Sequence, residues 1–395
     1  MATIITENIG NIKIQYGEAD QAIIDVFVDG NNFKDLSKLF SESNYNAVNM
    51  LYIAPEFETI CHKLFDTIKV IIDRKDFILG KNLSDYVFGQ TLFLWEYYLI
   101  HRRHMLGTEL LQHICRIVFS WEEKNRAQIH KGTPYFFLGL TQLMQGNVDA
   151  GFLMVYNAIE EDKRYCRQIG QINLYKGMPA YSFCTVNIKQ TKNAAYDYVI
   201  EANKELQKFI DNFNSSGFKY KTSLNEFQTK FLENTDIENE KFFFVYNLFT
   251  VVYQNVLKRK ELENNIFSKL RNVDMIFNFC LIIDKILNHK TGKQYISDSI
   301  IKIARNNFSI NNAQNIYKSL DFENNVESAI NNCLSPSYTH NSITVPKELL
   351  SLILIWGLRN HGGHTVETLD IFVEKYEEIK QAIMNSYFIV LKELY

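Results

Sequence analysis

Near the C-terminus the chain reads "LILIWGLRNHGGHTVE", Leu352 to Glu367, an apolar run that ends abruptly on an arginine, an asparagine, two histidines and two glycines. Three of these side chains form a set able to act on a phosphodiester. Arg359 can grip phosphate oxygens with a planar fork of donors that never loses its charge. His364 titrates near neutrality and can move a proton. Asn360, directly after the arginine, adds a neutral hydrogen-bonding group. Gly362 and Gly363 permit a left-handed turn, which would hold both ionisable side chains at one end of a helical bundle.

The elements that must position this set are helical. Thr344 and Pro346 open the penultimate helix, since proline is tolerated in a first turn that leaves its N–H unpaired. The helix ends at Gly362-Gly363. A last helix starts at Thr365, with Glu367 and Asp370 near its N-terminus. Its apolar stripe is Phe372, Tyr376, Ile379, Ile383, Tyr387, Val390 and Leu394. Ahead of these lie two long apolar-faced helices, "KFFFVYNLFTVVYQNVL" and "NNIFSKLRNVDMIFNFCLIIDKILNHKTG". The Asn- and Ser-rich zone 305–343 reads as short helices at most.

With that setting, "RNHGGH" resembles the R-(N/D/H)-x-x-x-H form of the motif of the HEPN superfamily, small all-α bundles with two long early helices and the motif late in the chain. The resemblance covers roughly residues 240–395. It implies a ribonuclease in which Arg359 and His364 are catalytic and Asn360 supports them. It also implies a homodimer whose two motifs face each other across one composite cleft, and it gives His361 no role. Fused helical scaffolds on such nucleases point, by family analogy, to bacterial toxin or anti-phage systems.

The front half is also read as helical from about residue 32. "TIITENIGNIKIQYGE" at the start reads as a small β-hairpin. "EFETICHKLFDTIKVIID" carries Phe57, Ile60, Leu64, Ile68 and Ile71 at helical steps, and 85–122 reads as a long helical stretch broken near Gly107. "KGTPYFFLGLTQLMQGNVDAGFLMVYNAIEED" resembles one degenerate tetratricopeptide repeat. Tyr135, Leu138 and Gly139 stand at its aromatic, leucine and close-packing glycine, Gly146 at its turn, and Ala158 at the small residue of its second helix. Gln142 replaces the usual tyrosine and Lys163 the closing proline. "KGMPAYSF", Lys176 to Phe183, echoes the opening and implies a second hairpin. The polar stretch 212–240 places a domain boundary near 235–240. Residues 1–235 are therefore expected to be a repeat-like sensor or scaffold, and 236–395 the HEPN-like bundle. The expected fold class is all-α.

Other chemistry-bearing residues are weaker. His101 to His104, "HRRH", with His113 and Cys115, lack carboxylates at helical spacing and read as a solvated basic face rather than a metal site. Arg126 and His130 stand one residue too close for the motif, with Ala127 where a polar residue is wanted, and read as a helix-terminal decoration. "LKRKE", Leu257 to Glu261, is a short charge run. No Walker loop, dinucleotide fingerprint, GxSxG or HExxH occurs, and no cofactor or metal is expected.

Composition bounds the rest. With 395 residues, 46% hydrophobic and 22% charged, the chain has room for two or three folded domains. Only five prolines over that length favour long helices. The net charge of -3 excludes a globally basic nucleic-acid binder but leaves room for a local basic groove. The start "MATIITENIG" has no basic region of a signal peptide, and the apolar run Leu349 to Ile355 is too short to span a bilayer. Six scattered cysteines without CxxC read as free thiols in a reducing cytoplasm. The expected partners are RNA, a second copy of the chain, and a regulatory protein or small molecule at the front half, with no membrane. The competing expectation is a non-catalytic interaction protein that binds through the repeat-like groove and dimerises through the bundle.

Overall fold

The computed structural model describes strands at 4–9, 12–17 and 25–28, scattered helical positions from 108 to 123, and residues 128–395 except 188–194, 235, 258–265 and 362–368. These residues are mostly helical. By their contacts they fall into two compact units divided between Tyr181 and Ser182, with everything from Tyr196 onward in the second.

In the first unit, β1 (Ile4–Ile9) and β2 (Ile12–Gly17) pair antiparallel, Ile9 opposite Ile12, as the expected hairpin. A third strand, β3 (Asp25–Val28), extends it; it was not legible in the sequence. The repeat-like segment is a helical hairpin, α1 (Gly132–Met144) and α2 (Val148–Gln168). Gly146 makes the turn at φ +80°, a conformation side chains disfavour, and Asn147 Oδ1 accepts from the Ala150 N–H to start α2. The helices touch where two glycines face each other. A Cβ at Gly139 would lie 2.9 Å from the Gly151 carbonyl, and one at Gly151 would lie 2.7 Å from the Leu143 side chain. Ala158 is fully buried at this seam. With Lys163 where a proline would stop it, α2 runs on to Gln168.

The echo at Lys176–Phe183 becomes a 3-10 turn (Leu174–Gly177) and a six-residue helix, α3 (Pro179–Cys184), shorter than the expected second hairpin requires. The 20-residue α4 (Tyr196–Ser215) belongs to the second unit. So does the polar stretch in which the boundary was expected, which carries α5 (Leu224–Phe227) continued by a π turn, Gln228–Leu232. The reason lies in its sparse aromatics. Phe213, Phe227, Phe231 and Leu232 are buried, and Phe213 and Phe227 pack on Phe388 at 5.2 and 5.4 Å between ring centroids. Asn212 donates to Gln381 at 3.0 Å, and the Lys219 N–H to the buried Glu348 carboxylate at 2.8 Å.

The frame of the second unit is α6 (Glu238–Leu257) and α7 (Ile266–Thr291), both as expected. Three shorter helices follow, α8 (Ile296–Phe308), α9 (Ala313–Leu320) and α10 (Val326–Leu334). Ser309 and Asp321 close the first two in the left-handed conformation. A two-stranded hairpin that the sequence did not announce comes next, β4 (Tyr338–His340) with β5 (Ile343–Val345). Asn341 and Ser342 both have positive φ, the geometry a two-residue hairpin turn demands. Then α11 (Lys347–His361) begins on the Pro346 carbonyl, which accepts from the Leu350 N–H.

The expected single last helix from Thr365 is instead α12 (Leu369–Glu374) and α13 (Tyr376–Leu394), its expected start lying in 362–368, outside the described residues. The helix breaks at Lys375, whose φ of -109° and ψ of 18° leave the helical region, although Lys375 still donates to Ile371 and accepts from Ile379. The anticipated stripe from Phe372 to Val390 is buried, and only Leu394 is half-exposed. Its centre is an aromatic cluster of Phe231, Phe244, Phe279 and Tyr387, in which the Tyr387 hydroxyl donates to the Phe279 carbonyl at 2.8 Å. Burial pushes the Tyr387 phenol far above its ordinary range.

Candidate functional site

The last turn of α11 carries Arg359, Asn360 and His361. Its preceding residues decide what they face. Trp356 stacks on Tyr317 of α9, with centroids 3.9 Å apart and planes 7° from parallel. Tyr317 in turn lies 5.7 Å from the ring of Phe322. Gly357 leaves the space that Phe322 occupies, since a Cβ there would sit 2.3 Å from the ring. Aromatic packing thus brings α9 to the end of α11.

Polar groups complete the contact. His361 Nε2 lies 3.0 Å from the Tyr317 hydroxyl. Arg359 Nη1 donates to Asn360 Oδ1 at 3.3 Å. Burial raises the Tyr317 phenol above its ordinary value, the Asn360 hydrogen bond opposes that rise, and the Glu323 charge adds to it.

Arg359 Nε donates to Asp284 Oδ2 at 3.1 Å. The carboxylate belongs to α7 and is 8% exposed, while the arginine side chain is 43% exposed. Buried acid and half-exposed base meet at the surface, with the base on the solvent side. Asp284 Oδ1 accepts from Asn288 Nδ2 at 2.7 Å. Asn288 Oδ1 accepts from the fully buried Ser299 hydroxyl at 3.0 Å, and that hydroxyl lies 2.7 Å from Thr291 Oγ1.

Of the three residues singled out in the sequence, Arg359 and Asn360 are brought into direct contact, and His364 lies outside the described residues. The same holds for His101, His104, Arg126 and Lys258 to Glu261. Asp284 and Tyr317 were missed. A lone carboxylate among Cys280, Ile283 and Leu287, all buried, was the available signal for Asp284. Nothing in "AQNIYKSL" marks Tyr317.

In the first unit, His130 is more than a helix-terminal decoration. Its Nε2 lies 2.6 Å from Asp162 Oδ1 and its ring stacks on Tyr165 at 4.6 Å. Gly132 makes room for this pair, since a Cβ there would meet Asp162 Oδ1 at 1.9 Å. Burial raises the Asp162 carboxyl above its ordinary value, the bond and charge of His130 oppose the rise, and Glu161 adds to it.

The described cysteines, Cys115, Cys166, Cys184, Cys280 and Cys333, are free and buried. Among the described residues no helix is long and apolar enough to cross a membrane. Comparison with protein-family models, with curated proteins and with solved structures found no match to this chain.

Proposed function

We propose that this protein is a metal-independent endoribonuclease whose site is built on Arg359, Asn360 and His364. The observation that carries the reading is the Arg359 guanidinium. It is held at its Nε corner by a buried carboxylate and half-exposed, on the last turn of a bundle helix, with Asn360 bonded to it. An arginine fixed in this way can receive an anionic oxygen without first paying for the ordering of its own side chain. The motif spacing then supplies His364 as the proton carrier. In the chemistry that the HEPN resemblance implies, the ribose 2′-hydroxyl attacks its own phosphate and expels the 5′-oxygen of the next nucleotide. A 2′,3′-cyclic phosphate remains. Histidine assists the proton transfers and arginine stabilises charge on the phosphorane oxygens. DNA lacks the nucleophile.

One motif supplies one arginine and one histidine. An isologous dimer through the bundle doubles both, so the active species of this proposal is a homodimer. The front unit, with its helical hairpin, offers recognition of a protein, a small molecule or RNA and is the regulatory part. This is the arrangement of a conditional toxin or an anti-phage effector. A second reading, a non-catalytic interaction protein with a HEPN-like bundle, draws on the same ion pair: the Arg359–Asp284 contact ties α11 to α7 whether or not anything binds.

The experiment that separates the two is cleavage of a labelled single-stranded RNA in EDTA, beside the DNA of the same sequence. Cleavage of the RNA alone to products ending in cyclic phosphate supports the nuclease. Loss of nothing on Arg359→Ala, or no cleavage by a purified dimer, turns the assignment to the interaction protein.

A further inference from the structure

We infer that Asp284 is the positioning residue of the site: it fixes the guanidinium of Arg359 so that its Nη edge is presented to the phosphate. This deepens the ribonuclease reading and rests on it.

The argument is one of donors and directions. A guanidinium has five N–H groups, one on Nε and two on each Nη. A carboxylate that merely neutralised Arg359 would take two of them in a fork, one per oxygen. Asp284 does not. Its Oδ2 takes Nε at 3.1 Å, while its Oδ1 accepts from Asn288 Nδ2 at 2.7 Å. One Nη1 hydrogen goes to Asn360 Oδ1 at 3.3 Å. Among the described residues the three other Nη hydrogens have no partner, on a side chain 43% exposed.

The acid itself cannot swing to follow the arginine. Asn288 accepts from Ser299, and its amide nitrogen donates to both Asp284 Oδ1 and the Gln294 carbonyl, which fixes its orientation. Ser299 is fully buried between Asn288 and Thr291. Thr291, Ser299, Asn288 and Asp284 thus form one continuous line of polar contacts that ends on the Nε of Arg359. A tie serving only to join two helices would not need its acid pre-aligned by three further polar residues. Burying a carboxylate this far also has a cost, which the Asn288 and Arg359 hydrogen bonds must offset.

The test uses the full chain and three variants: Asp284→Ala, Asp284→Asn and Arg359→Ala, with the double variant Asp284→Ala/Arg359→Ala. Each is measured for cleavage of a fluorescein-labelled single-stranded RNA, for binding of its uncleavable 2′-O-methyl analogue, and for its melting temperature. Asparagine has the shape of aspartate and one oxygen that can accept from Nε, at the cost of the Asn288 bond, so it fills the site and separates loss of the tie from loss of the fold. Asp284→Ala is expected to lower kcat by ~100-fold, the scale of a misplaced catalytic group, and Asp284→Asn by less than ~10-fold. On top of Arg359→Ala, removing Asp284 should change neither kcat nor binding, because the two act as one unit. A wild-type kcat in Asp284→Ala, or losses that multiply in the double variant, overturns the inference while leaving the nuclease standing if Arg359→Ala is inactive. A full chain that binds the analogue but does not cut still tests Asp284 through binding. One that neither cuts nor binds removes the nuclease reading and this inference together.

Discussion

Gly357→Ala tests the packing that builds the site, independently of any activity. The added methyl would sit 2.3, 2.4 and 2.4 Å from three neighbouring atoms of the Phe322 ring. Ordinary contact between carbons is ~3.5–4.0 Å, so the ring edge must retreat by about 1 Å or more. It has little room, because Phe322 is fully buried and parallel to Tyr317. Overpacking of this kind costs ~1–3 kcal/mol, and three clashing atoms on a rigid ring place it at the upper end. Alanine returns ~1 kcal/mol of helix propensity. The net loss is ~2 kcal/mol, a fall of ~4–8 °C in melting temperature for a unit of this size. Differential scanning calorimetry of the full chain reads it, and Phe322→Leu in the same chain should recover part of it by vacating the ring edge. Displacing Phe322 also pushes Tyr317, whose hydroxyl is 3.0 Å from His361. A Gly357→Ala protein that melts higher than wild type would refute the reasoning, since propensity alone would then be setting the outcome.

The proposed chemistry makes Arg359→Ala and His364→Ala each at least ~100-fold slower in RNA cleavage, the usual scale for one acid–base or charge-stabilising group; Arg359→Ala should also melt lower, because it leaves the buried Asp284 carboxylate without its cation. His361→Ala, whose partner is Tyr317 rather than Arg359, should lose much less in the same assay. A fragment of residues 236–395 should be poorly folded by circular dichroism and one of residues 182–395 well folded, because Phe213, Phe227 and Phe231 complete the core of the last helices; equal stability of the two would contradict the division near Tyr181. Burial works against the Glu226 charge, but hydrogen bonds from Lys392 and Lys230 outweigh it and hold the carboxyl below its usual range. That stability is present above the unfolded-state value and is lost as pH falls through the depressed one. Acid titration of Glu226→Gln should therefore show a shallower loss of stability across the carboxylate range than wild type.

Where an element writes its own period, it was legible. The stripe from Phe372 to Val390 recurs at helical steps and is buried as read. In the repeat-like hairpin, Gly139, Gly146 and Ala158 are small for local steric reasons that a sequence carries by itself. The stretch 212–240 misled because burial there is made by a few widely spaced aromatics inside a polar composition, and no count of residue types shows that Phe227 meets Phe388. The break at Lys375 does not interrupt the apolar stripe, so the pattern could not register it.

The site divides along the same line. Arg359 and Asn360 are neighbours in the chain, and their contact follows from being consecutive on one helix end. Asp284 lies 75 residues away from Arg359 along the chain. Its meaning depends on which face of α7 meets α11, and tertiary packing alone decides that. What the sequence does record is the anomaly of a carboxylate on an otherwise apolar stripe, and such an anomaly has few stable resolutions: a cation, a donor network, or both. Here it has both, Arg359 on one oxygen and Asn288 on the other. The order matters for function. Had the arginine been the buried partner, the same ion pair would have closed the site. With the acid beneath and the base above, the pair leaves three of the five guanidinium N–H groups without a partner among the described residues, at the end of the helix that also carries Asn360.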